Sequence, residues 1–327
     1  MSLTFLLRLL APLLLLAAGA AAADYDSYLT GNAADARPAR TTGGLLLSGG
    51  GGDNDDAFRW FVSCAGGGDI VILRASGKDG YNDYLFTRIG GVDSVQTLVF
   101  HRRAASTDAR VLEIIAGADG IFLAGGDQSN YIHYWKDTPV AAALDAHVRA
   151  GKPLGGTSAG LAVMGQFVYS ALEPRNLTSA IALQDPFDRQ ITLERDFLHL
   201  EVMRGIVTDS HFTPRARLGR SLVFLARLMD PAQPRLVGLG IDEKTALCVE
   251  ADGEGRVFTT DPAGRAWLLL PSTPPEVLVA GQPLTFRDIR VIALDPDSRC
   301  NLKTLSIRQP AALTTVSVVQ GRLVQKP

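Results

Sequence analysis

Residues 155–161, GGTSAGL, follow the short apolar segment Pro153-Leu154 and precede a run with a helical pattern, Leu161 to Phe167. The stretch has the form G-x-S-x-G, which is typical of a tight strand-to-helix turn that exposes a serine hydroxyl. Small residues are needed there because the strand and the start of the helix crowd the turn. The motif therefore predicts that Ser158 is the nucleophile of a hydrolase.

Upstream and downstream of this turn, apolar runs alternate with amphipathic runs from Gly43 onward. The predicted strands are 45–48, 70–73, 95–100, 120–124 and 153–154, and the predicted helices are 55–65, 107–116, 139–150 and 161–167. Continuous apolar strands separated by helices indicate a parallel sheet that is covered on both faces. The expected fold is therefore α/β, a three-layer doubly wound and mostly parallel sheet with ligands at the carboxyl ends of the strands.

Beyond residue 236 the pattern changes, because apolar runs follow one another without helices between them. These runs cover residues 236–241, 246–250, 257–260, 266–270 and 291–294. They predict antiparallel strands added to the same domain. We therefore expect residues 43–327 to form a single α/β domain with a β-rich C-terminal part, preceded by a loose polar leader over residues 24–42.

The first 23 residues have the composition of a secretory signal peptide. Arg8 is their only charge, Leu9 to Leu16 are apolar around Pro12, and Ala17 to Ala23 are small residues. Such a segment predicts cleavage near Ala23-Asp24. A retained membrane anchor is the alternative, but it needs about 20 apolar residues, more than this core supplies. The expected location is secreted or periplasmic, without membrane contact after cleavage.

Composition excludes several classes of function. The formal net charge is −2, and no basic run or basic-aromatic stripe is present, so nucleic acid is not an expected partner. The three cysteines, Cys64, Cys248 and Cys300, lack metal-ligand spacing. In an oxidising compartment Cys248 and Cys300 could pair, and three unpaired buried thiols are the alternative. We expect neither a metal nor a cofactor.

Two glycine-rich turns follow predicted strands. Gly49 to Asp53 lacks both the Gly-Lys-Ser/Thr ending of a phosphate-binding loop and the third glycine of a dinucleotide fingerprint. Ala57 occupies a ligand position of a calcium loop, so this segment predicts a turn beside the active site. The second turn is Gly125-Gly126-Asp127-Gln128. We predict that the Gly126 and Ala159 amides stabilise an oxyanion, and a plain capped turn is the alternative.

Among the five histidines, His211 stands out because it lies in a polar loop just before a helix that begins at Thr213-Pro214. A histidine in such a loop can accept the proton of a serine, so His211 is the predicted general base. Arg215, Arg217 and Arg220 follow it. They form either a solvated basic face or a set of guanidinium groups that bind the carboxylates of an acidic substrate.

Five segments together resemble the cyanophycinase branch of the S51 serine peptidases. They are the turn at Gly49, residues 125–128, residues 156–160, Asp209-Ser210-His211-Phe212 with the following arginines, and residues 240–247, GIDEKTAL. The resemblance implies a class I glutamine-amidotransferase-like fold in which Ser158 is the nucleophile, His211 the base and Glu243 the acid that orients it. It also places Gln128, Asp209, Arg215, Arg217 and Arg220 in the substrate pocket. The order Ser, His, acid argues against an α/β-hydrolase, in which the acid precedes the histidine.

The resemblance further implies the substrate cyanophycin, a poly-aspartate with arginine on each β-carboxyl. The expected activity is that of an exported serine exopeptidase that releases β-Asp-Arg dipeptides through an acyl-enzyme. Its expected partner is a peptide rich in aspartate and arginine, and a homodimer is the assembly common in the family. Two alternatives stay open: an aspartyl dipeptidase of the same family, and a non-catalytic periplasmic peptide-binding protein.

Overall fold

The computed structural model describes residues 23–38, 40–174, 176–232 and 235–326. The predicted signal peptide lies outside these residues except for Ala23, so it stays a prediction. Within the described part, no helix is long and apolar enough to cross a membrane.

The strands are, in chain order, β1 Tyr25–Gly31, β2 Gly44–Ser48, β3 Asp69–Arg74, β4 Ser94–Phe100, β5 Gly120–Leu123, β6 Leu154–Thr157, β7 Phe167–Tyr169, β8 Leu193–Arg195, β9 Ile206–Asp209, β10 Val237–Ile241, β11 Thr245–Glu250, β12 Glu254–Thr259, β13 Ala266–Leu270, β14 Phe286–Leu294, β15 Arg299–Asn301, β16 Ile307–Arg308, β17 Ala312–Val319 and β18 Arg322–Lys326. The α-helices are α1 Asp55–Cys64, α2 Gly80–Asp83, α3 Ala109–Gly117, α4 Gln128–Trp135, α5 Pro139–Arg149, α6 Ala159–Ala162, α7 Ser179–Gln184 and α8 Leu218–Leu228.

The first sheet has ten strands in the order β1-β4-β3-β5-β6-β2-β11-β12-β15-β16. Its centre, β4-β3-β5-β6-β2, is parallel, and the flanking pairs are antiparallel. Side chains that alternate along β3 contact helices on opposite faces: Ile72 packs in the cluster of α1, and Leu73 packs in the cluster of α3 and α5. The expected three-layer α/β fold with a mostly parallel core is confirmed.

The second sheet was not predicted as a separate layer. It has eight strands in the order β18-β17-β14-β13-β10-β9-β7-β8, and only the β10-β9 and β9-β7 pairs are parallel. Helices α7 and α8 pack on it through Leu183 and Phe224. The C-terminal strands pair with one another antiparallel as expected, although β10 also lies parallel to β9. They divide between the two sheets because β10 and β11, neighbours in the chain, pair with different strands.

Two further expectations need correction. The segment expected to be a loose leader contains β1, which pairs along its length with β4 and forms the edge of the first sheet. An edge strand has a solvated face, so its polar composition resembles that of a loop. The helix expected over residues 161–167 ends at Ala162, and Phe167 begins β7. Gly165 lies where the chain passes β9, and a Cβ there would be 2.8 Å from the Ile206 carbonyl oxygen.

All three cysteines, Cys64, Cys248 and Cys300, are buried and carry free thiols. The structure therefore agrees with three unpaired buried thiols and not with a Cys248–Cys300 disulfide. Burial raises the pKa of Cys300 to about 12, which keeps this thiol protonated and unreactive at neutral pH.

Candidate active site

Ser158 stands in the turn between β6 and α6, with a backbone φ of 52° and ψ of −110°. A positive φ is unfavourable for a residue with a Cβ and persists only where the surroundings impose it. The Ser158 N–H donates to the Ser48 carbonyl at 3.0 Å, and its own carbonyl accepts from the Ala162 N–H at 3.0 Å. A Cβ at Gly160 would lie 2.0 Å from the Leu123 carbonyl oxygen, so the small residue predicted at this position is required.

The three predicted catalytic side chains form a continuous chain of contacts. Ser158 Oγ lies 2.7 Å from His211 Nε2, and His211 Nδ1 lies 2.6 Å from Glu243 Oε1. Ser158 follows β6 of the first sheet, His211 follows β9 of the second, and Glu243 lies in the turn from β10 to β11, where the chain crosses between the sheets. The site therefore lies where the carboxyl ends of strands from both sheets meet.

The turn at Gly49 packs directly on this triad. A Cβ at Gly50 would lie 2.7 Å from His211 Cε1 and 2.9 Å from Ser158 Cβ, and one at Gly51 would lie 2.7 Å from the Glu243 side chain. The Gly49 carbonyl accepts from the His211 N–H at 2.9 Å. Four consecutive glycines were the sequence signal for a turn beside the active site, and close backbone approach is the physical reason for them.

The two predicted oxyanion donors belong to segments that adjoin the nucleophile. Ala159 is the first residue of α6, so its N–H has no acceptor within that helix. In the second segment, a Cβ at Gly125 would be 3.5 Å from Ser158 Cβ. The Tyr131 hydroxyl donates to the Ala124 carbonyl at 2.6 Å and lies 3.3 Å from the Gly125 carbonyl oxygen. The oxyanion role stays a prediction.

Asp209 and Arg220 need a different role from the predicted one. Arg220 Nε donates to Asp209 Oδ2 at 2.8 Å and its Nη2 to Oδ1 at 2.6 Å, and both residues are buried. Arg217 Nη1 donates to the same carboxylate at 3.0 Å and to the Ser210 carbonyl at 2.8 Å. Asp209 and Arg220 are buried with their hydrogen bonds satisfied inside the protein, so they support the His211 loop from within. Arg217 is half-buried, and its predicted contact with substrate stays a prediction.

Arg215 and Gln128 also reach solvent. The Arg215 side chain is 54% exposed, and its Nε lies 3.9 Å from Glu243 Oε1. Gln128 begins α4, is half-buried, and its Nε2 donates to the Tyr169 carbonyl at 3.4 Å. Their predicted contact with substrate stays a prediction. Among the residues that the structure describes, no group of three or more His, Cys, Asp or Glu side chains could hold a metal ion.

The surroundings of His211 favour its neutral form. Burial lowers the pKa of His211 below the ordinary 6.5, although the hydrogen bond to Glu243 acts in the opposite direction. A neutral imidazole whose Nδ1 is bonded to a carboxylate presents an unprotonated Nε2 to the serine. This arrangement can accept the proton of Ser158.

We expect kcat/KM for peptide hydrolysis to decrease as the pH falls through the pKa of His211, with the midpoint below 6.5. Protonation removes the lone pair of Nε2 that accepts the proton of Ser158, so activity is present above the pKa and lost below it. The measurement is kcat/KM across acidic and neutral pH, with circular dichroism at each pH as the control for unfolding. An acid limb centred above 6.5 in a folded protein contradicts the prediction.

The fold and the contact chain from Ser158 to Glu243 are those of a serine-type peptidase. The chain belongs to peptidase family S51, whose family model, "Peptidase family S51", matches residues 88–182. Within this family the chain is a cyanophycinase-like member. It is 30% identical over 219 residues to a cyanophycinase of Trichormus variabilis, a match that covers 65% of this chain and 66% of that relative.

Other relatives agree with this assignment. The chain is 28% identical over 267 residues to a cyanophycinase of Geminocystis herdmanii, which covers 77% of this chain and 89% of the relative. Its match to the Trichormus protein spans just under two thirds of the length of that relative. Among solved structures, a peptidase from an acI-B1 actinobacterium has a TM-score of 0.52 at 17% identity, over 81% of this chain and 98% of that one. At this identity the structural likeness supports the fold.

Proposed function

We propose that this protein is an exported serine exopeptidase that hydrolyses cyanophycin and releases β-Asp-Arg dipeptides. The observation that carries the proposal is the contact chain from Ser158 through His211 to Glu243. The choice of substrate rests on the relatives, which are cyanophycinases. Export rests on the composition of residues 1–23.

The reaction begins when Ser158 Oγ attacks the carbonyl carbon of the scissile amide and its proton passes to His211 Nε2. Glu243 stabilises the resulting imidazolium through Nδ1–H, and the Ala159 and Gly126 amides donate to the tetrahedral oxyanion. His211 then protonates the leaving amine, and the C–N bond breaks to give an acyl-enzyme. A water molecule that transfers a proton to His211 attacks the ester, and the carboxylic acid leaves as Ser158 recovers its proton.

Arg215 supplies an element of substrate recognition in this proposal. It is exposed, cationic and within 3.9 Å of the carboxylate of the triad. In cyanophycin the β-carboxyls are amidated, and each attached arginine keeps a free α-carboxylate, which a guanidinium group binds in bidentate geometry. We propose that Arg215 binds a carboxylate of the substrate beside the scissile amide.

The test is to incubate the purified protein with insoluble cyanophycin and, separately, with Asp-X dipeptides, and to identify the products by mass. Release of β-Asp-Arg from the polymer supports the proposal. Hydrolysis of the dipeptides alone supports the aspartyl dipeptidase instead. Tight binding of peptides without hydrolysis of either substrate supports a non-catalytic binding protein.

Export and assembly are separate parts of the proposal and have their own measurements. N-terminal sequencing of the protein recovered outside the cytoplasm should begin at Asp24. Retention of residues 1–23 in the recovered protein would contradict signal cleavage. Sedimentation of the purified protein decides between a monomer and the homodimer common in the family.

A further inference from the structure

Asp242 is a buried residue that the catalytic chemistry does not use, 4% exposed and directly before Glu243. Its Oδ1 accepts the Thr213 N–H at 2.7 Å. Its Oδ2 accepts the Arg265 N–H and the Trp267 Nε1–H, each at 3.0 Å. One carboxylate therefore joins three segments of the chain.

Two of these segments carry the catalytic pair. Thr213 stands two residues after His211, and Asp242 is the neighbour of Glu243 in the chain. The Phe212 N–H also donates to the Ile241 carbonyl at 3.1 Å, so the loop after His211 is fastened along the end of β10. The third segment, at the start of β13, is fixed by a reciprocal bond from the Asp242 N–H to the Arg265 carbonyl at 3.0 Å.

The backbone is strained at His211 itself and directly after Glu243. His211 has a φ of 45° and Lys244, which follows Glu243, has a φ of 55°. Non-glycine residues in this region cost free energy and need surrounding contacts that hold them there. The hydrogen bond of Asp242 to the Thr213 N–H is a contact of this kind, because it joins two residues that each lie two positions from a strained residue.

We propose that Asp242 is a positioning residue that sets the distance between His211 and Glu243 without touching the substrate. An ionised carboxylate is suited to the position because it only accepts hydrogen bonds, and three N–H groups point at it. In Asp242→Asn the amide has the same shape, but its NH₂ group faces at least one of these N–H donors. At least one of the hydrogen bonds is therefore lost. The proposal rests on the triad mechanism and not on cyanophycin as the substrate.

The test compares Asp242→Asn and Asp242→Glu with the wild-type protein. We expect each to lower kcat by roughly 10- to 100-fold, because misplacement of a catalytic group by about 1 Å costs this much, while KM stays nearly constant. Asp242→Glu keeps the charge but displaces it by a methylene group, so it separates position from charge. Recovery of wild-type kcat in Asp242→Glu overturns the proposal.

A readout that needs no substrate is the tautomer of His211, followed by ¹⁵N chemical shifts of labelled histidine and assigned with a His211→Ala variant. In the wild-type protein, the neutral ring of His211 should carry its proton on Nδ1, which faces Glu243. In Asp242→Asn the Nε2–H tautomer should gain population as the Glu243 contact loosens. This result decides the role of Asp242 even where the protein hydrolyses none of the peptides tried, so the two proposals fail separately.

The matched control is Asp145→Asn. Asp145 is also buried, and its carboxylate also forms two hydrogen bonds. One is to the backbone N–H of His199 and one is to the Nδ1 of the same residue, each at 2.7 Å. We expect this variant to keep wild-type kcat and the His211 tautomer, and an equal loss of kcat overturns the proposal. Trp267→Phe removes a single donor and serves if Asp242→Asn does not fold. It should lower kcat slightly and shift the tautomer in the same direction, and an unchanged tautomer contradicts the proposal.

Discussion

Replacement of Ser158 by alanine is expected to lower kcat for peptide hydrolysis on the order of 10⁶-fold, the loss seen when a triad nucleophile is removed. Ser158 Oγ is the atom that His211 Nε2 contacts at 2.7 Å, and alanine leaves no oxygen there to form the acyl-enzyme. Stability should change little, because alanine has a Cβ like serine and fits the same turn. The measurements are single-turnover hydrolysis and thermal unfolding of both proteins.

The matched control for this variant is Ser63→Ala. Ser63 also carries a hydrogen-bonded hydroxyl, which donates to the Trp60 carbonyl at 2.7 Å, but it lies on α1. We expect it to hydrolyse peptides at the wild-type rate. Substantial turnover by Ser158→Ala would show that another group is the nucleophile. Mass spectrometry adds a direct check, since a trapped acyl group should be found on the peptide that contains Ser158.

The nucleophile and the sheet around it were predictable because their signals are local. A G-x-S-x-G turn after an apolar strand places its glycines where a side chain would clash with the backbone. In the structure, Gly160 lies against the Leu123 carbonyl in this way. The triad is not local. His211 is 53 residues from Ser158, and Glu243 is 32 residues from His211. Such pairs meet only through the order of strands, so Glu243 was reached through family resemblance.

The second sheet and the inward-facing ion pair were missed for a different reason. A run such as β10 has the same apolar pattern whether it pairs with β2 or with β9, so sequence does not show that two sheets form. From sequence alone, Arg220 on α8 fits either a solvated helix face or a face that binds the substrate. In the structure its guanidinium group lies 5.0 Å from the Tyr169 ring centre and is paired with Asp209. Only tertiary packing decides which face of the helix is buried.

Removal of this buried carboxylate, Asp209→Ala, is expected to lower the free energy of unfolding by about 3–5 kcal/mol, the usual cost of leaving a buried charge without its partner. The side chains of Arg220 and Arg217 are only 6% and 15% exposed, so water does not replace the lost carboxylate. Burial opposes ionisation of Asp209, but the two guanidinium groups outweigh it and lower the pKa of this carboxyl. The measurement is urea unfolding at neutral pH.

Two further variants test whether the large loss of stability is specific to a buried ion pair. Glu113→Ala breaks a pair with Arg110 in which the side chains are 69% and 63% exposed, and its cost should stay below about 1 kcal/mol. In the double variant Asp209→Ala with Arg220→Met, part of the loss should be recovered, because the most deeply buried unpaired charge is gone. If the double variant is less stable than Asp209→Ala alone, then Arg220 stabilises the fold mainly through packing on Tyr169 and Phe224 and not through its charge.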